Sequence, residues 1–245
     1  MGSRTATRIL ALTIVALVVA ACDGAALVAV DPTVAPTTAA PTTAAPATAA
    51  PASAAPTTAT VAPSAVGWTV ADKSKATVRV REQLVGVNLP SDAVLTASGA
   101  KGSFSLNADG SFASGAQISF DLRTLASDSS DRDMFVKRDT LRVFEFPTAT
   151  FVPTKVTGLT LPLPSSGEFT FTLTGTLTIR GKDKTVTFDV KATRNGSDLT
   201  ATATANPTLK FEDFGMSAPA VPFRVVSVTD EIRLVIDLVA TGPTG

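Results

Sequence analysis

The amino-acid sequence predicts an all-β domain of about eight antiparallel strands, preceded by an export signal and a linker rich in proline, alanine and threonine. Three observations indicate this organisation. Apolar and polar residues alternate with a period of two from Trp68 onward, which is the pattern of strands with one buried face. Short turn motifs separate the alternating runs. Before Trp68 the chain consists largely of small residues and regularly spaced prolines, which cannot build a core.

The first 21 residues predict a lipoprotein signal peptide. Arg4 and Arg8 precede an apolar run at residues 9–19, which is shorter than the roughly 20 residues that span a bilayer and has the length of a signal-peptide core. The segment Val19-Ala20-Ala21-Cys22 resembles the bacterial lipobox, in which the cysteine carries a diacylglyceryl group. Cys22 is the only cysteine of the chain, so we expect it to be the lipid-attachment residue and membrane anchor. An ordinary signal peptide with an incidental cysteine is the alternative.

Residues 22–65 predict a disordered linker that begins at the lipidated cysteine. No charged residue occurs from position 32 to position 71, and proline recurs every five residues at positions 36, 41, 46, 51 and 56. Proline at this density blocks helices and sheet ladders and favours the polyproline-II conformation. We expect a semi-rigid spacer that holds the following domain, residues 66–245, up to ~100 Å from the anchor. A featureless flexible tether would do the same mechanical job.

The predicted strands follow one another with short connections. Alternating runs occur at residues 68–70, 77–81, 104–106, 118–122, 169–179, 186–190, 199–203 and 232–238. Turn sequences at 107–110, 180–183 and 194–197 separate several of them, the last containing Asn195-Gly196, and such turns join antiparallel hairpins. Eight strands form either a sandwich or a closed barrel, and an eight-stranded barrel has room for one small ligand. We expect the stretch 86–102, which contains Pro90, to be a long loop.

One stretch of the domain departs from the alternation and predicts a short helix. Residues 129–143 begin with Ser129 and Ser130, either of which suits an N-cap, and acidic residues follow in the first turn. Pro147 prevents the helix from continuing. The expected apolar side, packed over one end of the strands, consists of Met134, Phe135 and Leu141.

The composition excludes several classes of function. The chain has no histidine and one cysteine, which excludes histidine-dependent hydrolases and the common zinc sites. Lys plus Arg equals Asp plus Glu at 21 each, so the chain lacks the basic excess expected of a nucleic-acid-binding protein. A carboxylate-based enzyme would need an acidic residue on an apolar strand face. The acidic residues of the clear strands, such as Asp121 and Asp189, fall on the polar face.

A set of segments in the second half of the chain resembles a known family. They are Ser-Phe-Asp-Leu-Arg-Thr-Leu at 119–125, Asp-Arg-Asp-Met-Phe at 131–135, Phe-Glu-Phe-Pro-Thr-Ala-Thr-Phe at 144–151, Leu-Thr-Gly-Thr-Leu-Thr-Ile-Arg-Gly at 173–181, Lys-Thr-Val-Thr-Phe at 184–188 and Phe-Glu-Asp-Phe-Gly at 211–215. In this order and spacing, over about residues 68–240, they resemble the YceI-like family of lipid- or polyisoprenoid-binding domains. The resemblance implies a lipocalin-like barrel with a helix near its mouth and an apolar tunnel for a polyprenyl-type chain. Where many members have Ala-His-Ser in the first strand, this chain has Asp-Lys-Ser-Lys at 72–75.

The candidate lipid-binding residues are the apolar side chains on the inward strand faces. They are Phe104, Ile118, Phe120, Leu122, Phe151, Phe169, Phe171, Ile179, Phe188, Phe211 and Leu234. Two interpretations remain open for them: they fill a solid barrel, or some of them line a cavity for an isoprenoid chain.

A phosphate headgroup would need a cation at the mouth of such a cavity. The candidates are Arg132, Lys137, Arg138 and Arg142 around the predicted helix, although local pairing with Asp133 and Asp139 on a solvated helix face would also explain them. Asp128, Asp131 and Asp133 lack the spacing and glycine of a calcium loop, and we interpret them as helix-capping residues. No metal, cofactor or catalytic residue is predicted.

Three functional hypotheses follow. The first is an exported, membrane-anchored binding protein that sequesters or carries a polyisoprenoid or similar long apolar lipid outside the cytoplasm. The second is a structural or stress-related envelope protein with a filled barrel that binds another envelope component. The third is a carboxylate-based enzyme. The sequence favours the first, with a long-chain apolar lipid and the membrane as partners and no nucleic acid. It leaves the choice of membrane and the oligomeric state, including a homodimer, open.

Overall fold

A computed structural model describes residues 66–221 and 223–242. The predicted signal peptide, Cys22 and the proline-rich linker lie outside these ranges. Within them the strands are β1 (Val66–Val70), β2 (Lys75–Leu84), β3 (Ser91–Leu106), β4 (Gln117–Ala126), β5 (Thr148–Thr157), β6 (Ser166–Ile179), β7 (Lys182–Asn195), β8 (Asp198–Ala205) and β9 (Val225–Thr241). Helix α1 (Ser130–Phe135) continues into a π-helical turn, Val136–Thr140, and a 3₁₀ turn spans Glu212–Phe214.

The strands form one antiparallel sheet that closes on itself. Their order is β1-β3-β2-β9-β8-β7-β6-β5-β4, and an additional pairing of β3 with β4 completes the ring. Strands β1 and β2 both lie between β3 and β9: β1 pairs with the last residues of β3 and of β9, and β2 pairs with the preceding parts of the same two strands. They are therefore two segments of one interrupted strand, and the barrel has eight strands. The alternation also gave eight, but it counted β1 and β2 separately and missed β5.

The interruption in this first strand is fixed by a buried serine. Ser74 is fully buried, its hydroxyl donates to the Val239 carbonyl at 3.1 Å, and it accepts from the Val239 amide at 2.9 Å. The side chain thus replaces the two ladder hydrogen bonds that a regular strand would make with β9 at this point.

The core lies inside the barrel because the inward residues of each strand are apolar. In β7, for example, Val186, Phe188, Val190 and Ala192 are buried, whereas the residues between them are half-buried or exposed. The ring of hydrogen bonds closes within residues 66–241, and the core cluster consists of residues between Trp68 and Ala240. We therefore expect this segment to fold as an independent domain.

The expectation of a long loop at 86–102 was wrong. Strand β3 begins at Ser91, and Ala93, Leu95 and Ala97 point into the core. Two of these inward side chains are only methyl groups, so the sequence carries a weak alternation signal. Glycines then interrupt the alternation of apolar and polar residues in the rest of the strand. At Gly102 (φ 135°) an added Cβ would lie 2.0 Å from the Gln117 carbonyl oxygen, so β4 approaches the β3 backbone more closely than a side chain would allow.

The two ends of the barrel are built differently. At one end, Trp68 is buried beneath the guanidinium of Arg194, which lies 4.9 Å from the ring centroid. Arg194 is itself only 4% exposed and donates to the carbonyls of Gly196, Leu163 and Pro164. This cap seals the barrel where β1 begins, and we call this the closed end.

Helix α1 lies over the opposite end. Ser129 is the N-cap, and its hydroxyl accepts from the Arg132 amide, which confirms the predicted start of the helix. The expected apolar side was partly wrong, because Met134 is 60% exposed, while Val136 and Leu141 pack against the core. The helix is too short for its apolar residues to share one face. Within the described residues, no helix has the length and apolar character needed to cross a membrane.

Candidate ligand cavity

The barrel encloses a cavity of about 920 Å³ that extends from its middle to the α1 end. This volume is at the upper end of the ~300–1,000 Å³ typical of ligand pockets. Val85, Val87, Met134 and Phe223 line the cavity and are also exposed to solvent, so the cavity reaches the surface beside the helix. We call this opening the mouth.

The structure divides the eleven predicted lipid-binding residues between two cavities. Seven of them line the large cavity: Ile118, Phe120, Leu122, Phe151, Ile179, Phe211 and Leu234. The other four line a separate cavity of about 90 Å³ towards the closed end: Phe104, Phe169, Phe171 and Phe188. The strand parity therefore located inward residues correctly, but it does not indicate how far along the barrel each residue lies.

A buried acidic residue lies in the wall of the large cavity, contrary to expectation. Glu82 follows Val78 and Val80 on the inward face of β2 and is 7% exposed. The Arg132 guanidinium donates to its carboxylate at 2.6 Å. The expectation that no acidic residue has apolar parity was wrong because the run was ended at Arg81. Extending the alternation to Glu82 and Leu84 would have found this residue.

The predicted headgroup cations occupy different positions. Arg132, with a side chain 19% exposed, and Arg138 line the cavity near the mouth. Arg132 also pairs with Asp128, and Arg138 with Asp139. The hydrogen bond from Arg138 lowers the pKa of the Asp139 carboxyl below its ordinary value.

Arg142 lies apart from the cavity lining, pairs with Glu145 and stacks over the Phe146 ring at 6.0 Å. Lys137 is half-buried and is also outside the cavity lining. The geometry thus brings two of the four predicted cations to the mouth.

The acidic residues around α1 act as structural partners. Asp131 accepts from Arg224 at 2.7 Å, and Asp133 accepts from the Ser127 hydroxyl at 2.6 Å. Among the described residues there is no group of three or more His, Cys, Asp or Glu side chains placed to hold a metal ion.

The mouth is surrounded by exposed apolar side chains, of which only Met134 was predicted, as part of the apolar side of the helix. Phe223 is 95% exposed, and Val85, Val87 and Met134 are about half exposed. These residues lie on the β2–β3 loop, on helix α1 and in the segment before β9. Exposed apolar clusters of this kind mark binding surfaces rather than ordinary solvent-facing loops.

Comparison with known proteins identifies the family. The model of the YceI-like domain matches residues 68–240. A UPF0312 protein of Pseudomonas putida strain W619 is 39% identical over 112 residues, which are 42% of this chain and 54% of that protein. A UPF0312 protein of Azotobacter vinelandii strain DJ is 30% identical over 142 residues, which are 56% of this chain and 68% of that protein. The match thus spans about half the length of the first of these relatives.

The fold is also found among solved structures. A polyisoprenoid-binding domain from Saccharophagus degradans superposes with a TM-score of 0.53 at 12% sequence identity, over 72% of this chain and 98% of that domain. At this identity the likeness concerns the fold alone. The family model, by contrast, covers well over half of the sequence and nearly all of the described barrel. This chain belongs to the YceI-like domain family.

Proposed function

We propose that this protein binds a polyisoprenoid or a similar long apolar lipid inside its barrel, and that it sequesters or carries this lipid outside the cytoplasm. The observation that carries the proposal is the cavity of about 920 Å³, which is lined mainly by apolar side chains and reaches the surface beside α1. Burial of an apolar chain contributes roughly 25 cal/mol per Å² of surface removed from water. The cavity therefore offers affinity for long apolar molecules in general.

The family and fold support the same proposal. The S. degradans domain with this fold is described as polyisoprenoid-binding, and the present cavity has the apolar lining that such a ligand requires. The exposed apolar residues at the mouth provide an apolar surface along which such a chain can enter.

A membrane anchor at Cys22 and an extracytoplasmic location are part of this proposal. They rest on the lipobox-like segment and on the apolar run before it. A lipid-binding domain tethered beside a membrane would remain close to the source of its ligand. Globomycin treatment, which blocks lipoprotein signal cleavage, should cause the precursor to accumulate, and a Cys22→Ala variant should fail to incorporate labelled palmitate.

The two other hypotheses have less support. A filled structural barrel does not need an internal space of this size. A carboxylate-based enzyme has one candidate in Glu82, but an ion pair with Arg132 already occupies that carboxylate. We therefore propose a binding protein rather than an enzyme.

The test is native mass spectrometry of residues 66–245, followed by solvent extraction and lipid analysis of the bound material. We expect a stoichiometric adduct that extracts as an isoprenoid. If the protein is isolated empty, titration with polyprenyl phosphates, polyprenyl alcohols and quinones should restore a one-to-one complex. Failure to bind any of these would contradict the proposal.

A matched pair of variants tests whether the ligand binds in the large cavity. Ala76 lines the large cavity, whereas Ala108 is exposed in the β3–β4 turn at the closed end. Ala76→Phe puts a ring into the cavity and should weaken binding at least tenfold, while Ala108→Phe should leave it unchanged. Equal affinity of both variants would place the ligand elsewhere.

A further inference from the structure

We propose that Phe151 is the floor of the ligand cavity and sets the length of the apolar chain that the barrel holds. This inference rests on the proposed function and assigns a specificity-determining role within the same site. It starts from the division of the barrel interior into two cavities, of about 920 Å³ and about 90 Å³.

The boundary between the two cavities is a constriction across the barrel. Among the described residues, Ile118, Phe151 and Ile236 line both cavities. Ile118 and Phe151 are paired neighbours on β4 and β5. Ile236 is on β9, which is four steps from β5 in the ring of eight strands, by way of β8, β7 and β6. The three side chains therefore come from opposite walls and lie at the boundary between the cavities.

The Phe151 ring is held in this position from two sides. On neighbouring β6, Gly175 leaves the space that the ring occupies, since an added Cβ would lie 2.4 Å from the Phe151 ring and 2.5 Å from the Val152 carbonyl oxygen. From the closed end, Phe188 packs edge to face against it, with ring centroids 5.3 Å apart and an interplanar angle of 85°. Phe151 and Phe188 are 4% and 1% exposed. A ring held in this way is a rigid stop rather than a mobile gate.

Space for an apolar chain continues beyond the stop. The smaller cavity is lined almost entirely by apolar side chains, including Phe104, Phe169 and Phe171. It ends below the Trp68–Arg194 cap. Removing the Phe151 ring would therefore join two apolar spaces and lengthen the tunnel towards the closed end.

The floor makes a specific prediction about ligand length. Each additional buried methylene strengthens binding roughly fourfold. Affinity should therefore rise with chain length until the chain end reaches Phe151. Longer chains must then leave their extra carbons at the mouth or fold back, and their affinity should no longer rise.

The experiment measures the affinity of residues 66–245 for linear polyprenyl alcohols that differ by single isoprene units, by displacement of a fluorescent fatty acid. The wild-type protein should show a cutoff length. Phe151→Ala should move the cutoff by at least one isoprene unit. It should strengthen binding of the first alcohol beyond the wild-type cutoff by more than about tenfold, because two newly buried methylenes already contribute roughly sixteenfold. Phe151→Leu, which removes less of the packing, should move the cutoff in the same direction.

The matched control is Leu106→Ala. Leu106 lines the smaller cavity but not the boundary, so this change enlarges the space below the floor without opening it. Its cutoff should equal that of the wild type, and circular dichroism should show that all variants are folded.

The two ways of failing are distinguishable. If the wild-type protein binds no polyprenyl alcohol of any length, the proposed function is wrong. If it binds them but shows no cutoff, or if both Phe151 variants keep the wild-type cutoff, lipid binding stands and the role of Phe151 as the floor is refuted.

Discussion

Replacing Arg132 by alanine should destabilise the barrel through the charge that it leaves behind. The Arg132 guanidinium donates to Glu82 at 2.6 Å, and the two side chains are 19% and 7% exposed. Breaking a buried ion pair from one side leaves an uncompensated charge and costs about 3–5 kcal/mol. We expect about 3 kcal/mol, the lower value, because Arg132 retains some contact with solvent. The measurement is urea-induced unfolding of residues 66–245 at neutral pH.

The control removes both charges together. A Glu82→Leu/Arg132→Met double variant leaves no unpaired charge and should unfold within about 1 kcal/mol of the wild type, because apolar replacement of a whole buried pair is often neutral. The result that would refute this reasoning is a double variant as unstable as Arg132→Ala. Such a result would mean that Arg132 stabilises the barrel through its hydrogen bonds to Ser127 and Asp128 rather than by neutralising Glu82.

Three further predictions concern the stability of the barrel. Gly175→Ala should lower the free energy of unfolding in urea by about 2 kcal/mol, because its Cβ would lie 2.4 Å from the Phe151 ring. Gly67→Ala, whose added carbon meets a hydroxyl at 3.1 Å, should lower it by less than about 0.5 kcal/mol. Equal losses would contradict the steric explanation. Arg194→Met should cost about 3 kcal/mol, since it removes the hydrogen bonds to three carbonyls at the closed end; an unchanged melting temperature would be inconsistent with the cap. The hydrogen bond from a lysine lowers the pKa of Asp213. The stabilisation from this pair is therefore present above the unfolded pKa of about 3.9 and is lost as the pH falls through the lower folded value. Asp213→Asn should lose less stability than the wild type between about pH 4 and pH 2, and an equal loss in both proteins would show that this pair contributes nothing.

Several strands could be predicted because their own residues show both the alternation and the turn that precedes it. In β7, large apolar residues alternate with polar ones, and the turn before it contains Gly181 at φ 68°. The first part of strand β3 was missed because Ala93 and Ala97 mark its inner face with small side chains. Its glycines also reflect the close approach of β4, which is a tertiary contact that the local pattern does not contain.

The sequence predicted which residues of the candidate site point inward, but not where along the barrel each of them lies. Parity identifies Phe120 and Phe188 equally well as inward residues, yet they line different cavities. Their depth in the barrel depends on the stagger between strands, which is set by pairing partners far away in the sequence. The pairing of Glu82 with Arg132 was inaccessible for the same reason, since these residues are 50 positions apart.

The sequence by itself determined that the domain is an antiparallel β structure with apolar inner faces, that a capped helical turn interrupts it at Ser129, and that histidine chemistry and cysteine-rich metal sites are excluded. These properties depend on residue type and on periods of a few residues. Only the tertiary structure decided that the ring closes with β1 and β2 sharing one strand position, that Phe151 stands between two cavities, and that one end opens while Arg194 and Trp68 seal the other. Each of these depends on side chains brought together from opposite walls of the barrel, and a strand pattern does not encode which wall faces which.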